Sequence, residues 1–218
     1  MLRNQRNVFW QALVLTIFMF ALGFILGVLM EDVRTHNIEN SFMETEISLL
    51  DLRTVSYIYS LGNFDCDTAI RENLRFGDSI FFRAIKLQKY EDANKLTRAI
   101  DLEHKKYDSL RTLLWFNSIQ IKQQCKASYH NVVYLYNYKE TRLEKKAEQL
   151  VFSNILSELK NKEGENIMLI PIAVNNNLSS LNIMIEKYNI TDYPVVIIDE
   201  KHVIDELVSA EDLEKYLG

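Results

Sequence analysis

Residues that interrupt helices are scarce in this sequence. Its 218 residues include two prolines and six glycines, a composition that favours long helices. Cysteine is also rare: the chain contains two, Cys66 and Cys125. The length allows one or two domains, and the 48% share of hydrophobic residues is ordinary for a globular chain.

Common motifs of catalytic and metal sites are missing as well. The sequence has no glycine-rich phosphate loop, no nucleophile elbow and no HExxH. Its histidines are scattered, without cysteine or carboxylate at ligand spacing: His36, His104, His130 and His202. We therefore expect no metal site and no cofactor. Carboxylates are abundant, but no motif pairs them, so the sequence nominates no general acid or base.

A stripe of lysines and arginines interleaved with aromatic residues, which is typical of nucleic-acid-binding surfaces, is also lacking. The chain carries 25 basic and 30 acidic residues, a net charge of −5. We therefore expect no nucleic-acid partner. Charges are dense between Glu91 and Lys106. They are most simply a solvated helix face, and the alternative is an electrostatic docking surface.

One long apolar segment, Val8 to Met30, contains 23 residues without a charge. As a helix it spans roughly 34 Å, enough to cross a hydrocarbon core of about 30 Å. A cleaved signal peptide has a shorter apolar region and ends in a small-x-small site, which the sequence after Val28 does not offer. Residues 8–30 are therefore predicted to be a retained transmembrane helix whose partner is the lipid bilayer.

The charges that flank this segment predict its orientation. Arg3 and Arg6 precede it, whereas Arg34 follows it among acidic residues, and positive flanks stay in the cytoplasm. Residues 1–7 are thus a predicted cytoplasmic tail of a single-pass protein, with everything after Met30 outside the cytoplasm. Gly23 and Gly27 form a small-xxx-small pair that would let two anchors pack as a homodimer. The alternative is that lipid merely tolerates these glycines.

The region of residues 31–127 has helical periodicity from Ile38 onward. We expect four helices packed as an antiparallel hairpin or small bundle. The first ends at Gly62-Asn63, the second is stopped by Gly77, the third runs to Ile100 and the fourth ends near Cys125. No a/d heptads are sustained, which disfavours a long coiled coil.

Aromatic residues in the last of these helices have two interpretations. Trp115 and Phe116 lie beside Leu113 and Leu114. Packing in a hydrophobic core is the expected role, and a partner-binding patch is the alternative.

Residues 128–218 alternate between strand and helix patterns in the order β-α-β-α-β-β-α, which predicts an α/β domain. The predicted strands are Val132–Tyr138, Ile167–Val174, Val195–Ile198 and Val203–Leu207. The first helix is predicted at Thr141–Asn161, burying Leu143, Ala147, Leu150, Val151, Ile155 and Leu159. A second helix is capped by Ser179 or Ser180, and a Ser209-x-x-Asp212 box caps the last.

This order, with Tyr193-Pro194 before a β-branched strand and an acidic turn at Asp199–His202 after it, resembles the thioredoxin fold. The likeness covers residues 128–218. It implies a cis peptide bond before Pro194, close to the position of the family's active site. It also implies a cleft for extended polypeptide, formed by Tyr138, Lys139, Glu140, Thr141, Tyr193 and Pro194.

The family's Cys-x-x-Cys motif is absent from its expected place. The junction from Tyr138 to Glu144 holds no cysteine, so no thiolate can be stabilised at the helix N-terminus. Thr141 and Glu144 are instead predicted to form a capping box. The resemblance therefore implies the fold without its usual reaction.

Two functions remain in competition. The first is a membrane-anchored, extracytoplasmic, non-enzymatic protein that binds a protein or peptide or acts as a scaffold. The second is a thiol–disulfide exchange accessory or oxidoreductase that uses Cys66 and Cys125. The first requires both sulfurs to be buried or bonded together, and we predict one intramolecular disulfide between them. Asn177 and Asn189 match the N-x-[ST] glycosylation pattern.

Overall fold

The computed structural model describes the backbone of residues 5–92 and 98–218, with side chains for residues 8–30, 43–84 and 100–218. Residues 1–4 of the predicted cytoplasmic tail lie outside the described residues. So do residues 93–97, which belong to the predicted charged helix face. The chain divides into two units, residues 1–45 and residues 46–218.

The first unit contains the apolar segment Val8–Met30, which is helical throughout. Its hydropathy reaches 2.7 and its side chains are exposed. Among the described residues it is the one helical segment long and apolar enough to cross a membrane. Its bounds match the span that the sequence predicts.

Helix α1 runs without a break from Gln5 to Leu61. The sequence placed a boundary between the span 8–30 and the helical region 31–127, and α1 crosses it. Residues 31–37 contain neither proline nor glycine, so no residue there breaks the helical hydrogen bonds. The helix ends at Leu61, and the next residue, Gly62, has a φ of 72°, as predicted for the Gly62-Asn63 turn.

Helix α2 spans Cys66–Asp92 and continues through Gly77. The prediction that Gly77 ends one helix and Asp78 opens another was therefore wrong. An added Cβ at Gly77 would lie 3.7 Å from Leu114 and 3.8 Å from Met168. Close packing on these side chains compensates for the roughly 1 kcal/mol helix penalty of glycine. At its start, the Asp65 carboxylate accepts the Thr68 N–H at 2.8 Å.

Helix α3 spans Arg98–Cys125 and buries Tyr107, Leu110, Leu114 and Ile121 along one stripe, together with Trp115. Trp115 is thus a core residue, and Phe116 packs partly buried against the same core. One charged residue departs from its prediction: Glu103 is buried although the sequence placed it on a solvated face. Lys106, one helical turn further on, contacts Glu46 of α1 at 2.6 Å.

The sheet contains four strands in the order β2-β1-β3-β4. These are β1 His130–Tyr136, β2 Ile167–Ala173, β3 Val195–Ile198 and β4 His202–Ile204. Strand β1 pairs in parallel with β2 and antiparallel with β3, and β4 pairs antiparallel with β3. Helix α4, Leu143–Glu163, connects the parallel pair, as such a crossover requires. Helices α5, Ser179–Lys187, and α6, Ala210–Glu214, complete the fold.

The two faces of the sheet pack against different helices because successive strand residues point to opposite sides. Val133 and Ile197 pack with residues of α2, α3 and α5. Val132 and Val196 pack with residues of α4 and α6. Burying each such side chain contributes about 1.5–3 kcal/mol, so both helical layers are held by the same strands.

Helix α4 buries only part of the apolar set that the sequence predicts. Leu159 is buried as predicted and Ile155 is partly buried. Phe152 and Leu156 occupy the rest of the core-facing side, whereas Leu143, Leu150 and Val151 are exposed. Both sets recur at helical spacing, so periodicity alone did not distinguish them. The aromatic Phe152 fills the space beside Tyr134 of β1, which fixes the rotation of the helix.

A buried carboxylate joins α3 to the end of β2. Asp108 accepts the backbone N–H of Ala173 at 3.1 Å and lies 3.3 Å from Arg111 Nη1. It also accepts the side-chain amide of Asn176 at 2.5 Å. The charge of Asp108 is thus matched inside the protein, as a fully buried carboxylate requires.

Candidate functional site

Both cysteines of the chain form one disulfide, Cys66–Cys125, which confirms the prediction. Cys66 is the first residue of α2 and Cys125 is the last residue of α3, so the bond joins two helix ends. Their Cα atoms are 5.4 Å apart, within the usual range for a disulfide. Both residues are half-buried.

The residues before α4 show how the position expected for a redox motif is filled. The Glu140 carboxylate accepts the backbone N–H groups of Thr141 and Arg142, each at 3.0 Å. Side-chain hydrogen bonds with Arg142 contribute most to lowering the pKa of Glu140 to about 2. The predicted Thr141–Glu144 capping box was wrong, because α4 begins at Leu143 and no side chain of its N-cap residue bonds to it.

Tyr138 and Lys139 connect the end of β1 to the helical region. The Tyr138 ring stacks on His104 of α3, with ring centres 3.9 Å apart. Its backbone exchanges two hydrogen bonds with the Asn175 side chain, at 2.8 and 2.7 Å. Lys139 Nζ lies 2.5 Å from Asp101. These contacts leave Tyr138 half-buried.

The loop before β3 is linked to the start of α4. Lys145 Nζ lies 2.9 Å from Asp192 Oδ2, and the Tyr193 N–H donates to Asp192 Oδ1 at 2.8 Å. The hydrogen bond with Lys145 is the main cause of a lowered pKa of Asp192. The Tyr193-Pro194 peptide bond is cis, and Pro194 is buried beside half-buried Tyr193.

An apolar side chain stands exposed at this junction. Leu143, the first residue of α4, is 83% exposed, and Lys145, two residues later, holds the loop that carries Tyr193. Of the predicted cleft residues, Tyr193 is thus tied to the start of α4 through Asp192. We call Leu143, Tyr193 and the Lys145–Asp192 ion pair the α4 junction. It combines one exposed apolar side chain with one ion pair.

A second group of interacting polar side chains lies at the other end of β3, and the sequence did not indicate it. The Asp199 carboxylate contacts Lys122, lies 2.6 Å from His130 Nδ1 and accepts the Asn131 N–H at 2.9 Å. Burial alone would raise the pKa of Asp199, but these hydrogen bonds outweigh it and lower the pKa. Asp199 therefore stays ionised in the folded protein.

The neighbouring Glu200 points toward the core. Its Oε1 accepts the indole N–H of Trp115 at 2.7 Å and the side-chain amide of Asn131 at 3.0 Å. Burial raises the pKa of Glu200 more than these donors lower it. Asn131, inside an apolar strand, continues the network to Ser118 and on to Tyr129.

These two carboxylates border a groove of about 530 Å³. Its other polar walls include Lys122, His130 and Lys201. Because Asp199 and Glu200 are bonded to α3 and β1, the arrangement fastens the β3–β4 turn to helix α3. A buried asparagine in an apolar strand and an Asp-Glu turn are the sequence signals that would have identified it.

A larger groove of about 650 Å³ lies between α1 and α2. Its apolar wall includes Leu52, Val55 and Phe76, and charged residues stand at its edges. Arg83 donates to Ser48 across it at 3.0 Å. This groove was not predicted from the sequence.

Both glycosylation triplets lie in exposed turns of the structure. Asn177 and Asn189 are exposed and have positive φ angles of 53° and 52°. Such angles are more common for asparagine than for most other residues. Within the described part of the chain, no group of three or more His, Cys, Asp or Glu side chains has the arrangement of a metal site.

Comparison with known proteins gives little similarity. No family model matches the chain, and no curated protein matches it. Among the solved structures that match is one titled "Structure of a malarial protein", at 18% identity and a TM-score of 0.32. The match covers 41% of this chain and 93% of that chain.

Proposed function

We propose that residues 128–218 form a thioredoxin-like domain that binds polypeptide without thiol–disulfide chemistry. The order of helices and strands supports the family resemblance, as does a sheet in which β1 is parallel to β2 and antiparallel to β3. A crossover helix between the parallel strands and a final helix after β4 belong to the same pattern.

The observation that carries the proposal is the use of both sulfurs in the Cys66–Cys125 disulfide. Thiol–disulfide exchange requires an attacking thiolate, and a chain with two cysteines has none while they are bonded together. At the start of α4, the Glu140 carboxylate occupies backbone donors that would otherwise stabilise a thiolate. Binding is the function that this position still supports.

The proposed binding surface is the α4 junction together with the predicted cleft residues Tyr138, Lys139, Glu140, Thr141 and Pro194. Leu143 offers an exposed apolar contact, and Tyr193 offers part of an aromatic ring. The Lys145–Asp192 ion pair holds these two segments together. An extended polypeptide would place an apolar side chain against Leu143 and its backbone along the loop before β3.

The binding test uses the full-length chain in lipid nanodiscs and a phage library of 15-residue peptides. Leu143→Asp should reduce the affinity of selected peptides about tenfold or more, because it puts a charge at the apolar contact. Ile183→Asp is the matched control, because Ile183 is 66% exposed on α5. Equal losses in both variants, or no selected peptides at all, would contradict the proposal.

The competing function is thiol–disulfide exchange through Cys66 and Cys125, and the half-buried state of both residues favours it. Insulin reduction in the presence of dithiothreitol distinguishes the two. We expect no turnover by the purified full-length chain. Turnover that Cys66→Ser and Cys125→Ser together abolish would establish the competing function, whereas turnover that survives both changes would refute each mechanism.

We further propose that residues 8–30 anchor the protein in the cell membrane, with residues 1–7 in the cytoplasm and the C-terminal domain outside. Arg3 and Arg6 on the near side support this orientation. The anchors of two copies would pack through Gly23 and Gly27. A reporter fused after Gly218 should be active only outside the cytoplasm, and cytoplasmic activity alone would reverse the topology.

A further inference from the structure

The C-terminal part of α1 carries a stripe of exposed apolar side chains. Ile47, Leu50, Tyr57 and Leu61 are each between 62% and 67% exposed. With Thr54, they follow alternating spacings of three and four residues, which are the a and d positions of two heptads followed by the a position of a third. We call these five residues the α1 stripe.

The opposite side of the same helix is already covered by the protein's own core. Leu52 and Tyr59 are buried, and Leu49 and Val55 pack partly buried against neighbouring helices. In the heptad assigned above, these residues occupy positions b, c and f. The flanking e and g positions are all exposed: Glu46, Asp51, Arg53, Ile58 and Ser60. The fold therefore leaves uncovered the whole face that a two-stranded coiled coil uses.

We propose that a second copy of this chain covers the α1 stripe in a parallel two-stranded coiled coil over residues 47–61. The four apolar side chains are each more than 60% exposed, so a second copy would bury surface on all of them, and the flanking e and g side chains would extend the contact toward the roughly 1,000 Å² of a specific interface. Ile47 at position a followed by Leu50 at position d favours two strands. The parallel direction rests on the proposed anchor, which inserts both copies in the same orientation.

The charges beside the α1 stripe affect the affinity of the dimer. In a parallel coil, Glu46 at position g faces Asp51 at position e of the other copy. These charges repel, although Lys106 of the same chain lies 2.6 Å from Glu46 and offsets part of its charge. Asp51→Lys would convert the repulsion into two symmetric attractions, and we expect it to tighten the dimer about threefold.

Sedimentation equilibrium of the full-length chain in density-matched detergent tests the proposal. We expect a dimer for the natural sequence, and dissociation at least about 100-fold easier for Leu50→Lys with Tyr57→Lys, because two charges enter the apolar seam. Ile183→Lys with Val203→Lys, at exposed apolar positions elsewhere, should leave the dimer unchanged. Both double variants should unfold cooperatively at a temperature close to that of the natural chain, which shows that they fold.

A photo-cross-linking amino acid at position 50 gives a second measurement. It should join two copies at position 50 of each chain, since d positions face each other across the seam. The proposal would be overturned if the natural chain were monomeric, or if the Leu50→Lys with Tyr57→Lys variant stayed dimeric. It would also be overturned if only Gly23→Leu with Gly27→Leu abolished the dimer. A failure of Asp51→Lys to tighten the dimer would overturn the parallel register. Peptide binding at the α4 junction is measured separately, so a monomer that binds peptide contradicts this inference alone.

Discussion

Asp199 and Glu200 are neighbours in one turn, yet the fold shifts their pKa values in opposite directions. Asp199 is surrounded by donors and has a lowered pKa, whereas burial raises the pKa of Glu200. A lowered carboxyl pKa adds stability above the unfolded pKa, and a raised one costs stability there. The two carboxylates therefore have opposite effects on folding at neutral pH.

Glu200→Gln should stabilise the full-length chain by about 1 kcal/mol at pH 7, because it removes a buried charge and keeps the acceptor for Trp115. The gain should disappear as the pH falls through the folded pKa of Glu200 and below its unfolded value, where the carboxyl is neutral in both states. Thermal unfolding at pH 7 and pH 4 measures this, with exposed Glu206→Gln as the control. If Glu200→Gln instead destabilised the chain at pH 7, the charge of Glu200 would be shown to stabilise the fold.

Asp199→Asn should have the opposite effect and destabilise the chain by about 2 kcal/mol at pH 7, because Lys122 and His130 lose their charged partner. The stability that Asp199 supplies is complete above its unfolded pKa and is lost as the pH falls through its lower folded pKa. The variant and the natural chain should therefore converge in acid. Denaturant titrations across this pH range measure the difference, and a difference independent of pH would contradict the assignment.

Within single elements, patterns predicted most strands and helices, and the buried stripe of α3, but not the full buried face of α4. Val195–Ile198 is a strand with the predicted bounds because four β-branched residues follow a proline. Leu143 and Leu150 looked like core residues of α4, yet Phe152 and Leu156 occupy the core. Gly77 looked like a helix end, but packing against Leu114 keeps α2 continuous. In both cases tertiary contacts outweighed local preference.

The start of α4 gives a direct test of such a correction. Glu140→Ala should lower the unfolding temperature, because two backbone N–H groups lose their acceptor. Thr141→Ala should leave it unchanged within error, since the Thr141 side chain caps no helix. The pKa of Glu140 is lowered to about 2, so its contribution is present at neutral pH and is lost only as the pH falls toward 2. The reverse order of effects would restore Thr141 as the cap.

The disulfide joins the start of α2 to the end of α3 and so links two helices. Cys66→Ser with Cys125→Ser should reduce the free energy of unfolding by about 4 kcal/mol, since the bond closes a loop of 59 residues. Reduction of the natural chain should give the same loss in denaturant titration. Alkylation of both cysteines in freshly isolated, unreduced protein would show that the bond is not formed in the cell.

For the whole molecule, the sequence predicted a membrane anchor, a helical region and a C-terminal α/β segment because each has its own hydrophobic pattern. It did not predict the network of Trp115, Asn131 and Glu200, whose members come from three distant elements. Nor did it distinguish the exposed α1 stripe from a buried one, since both have the same spacing. Sites built by long-range packing are visible only once the helices are placed against the sheet.

The proposed binding of polypeptide at the α4 junction, without thiol chemistry, can be tested in the membrane. The most direct measurement places a photo-cross-linking amino acid at position 143 of the full-length chain in its native membrane, with position 183 as the control. We predict cross-linked polypeptide at position 143, little at position 183, and no loss when competing free thiols are blocked by alkylation. Equal cross-linking at both positions, or cross-linking at 143 that alkylation abolishes, would contradict the account.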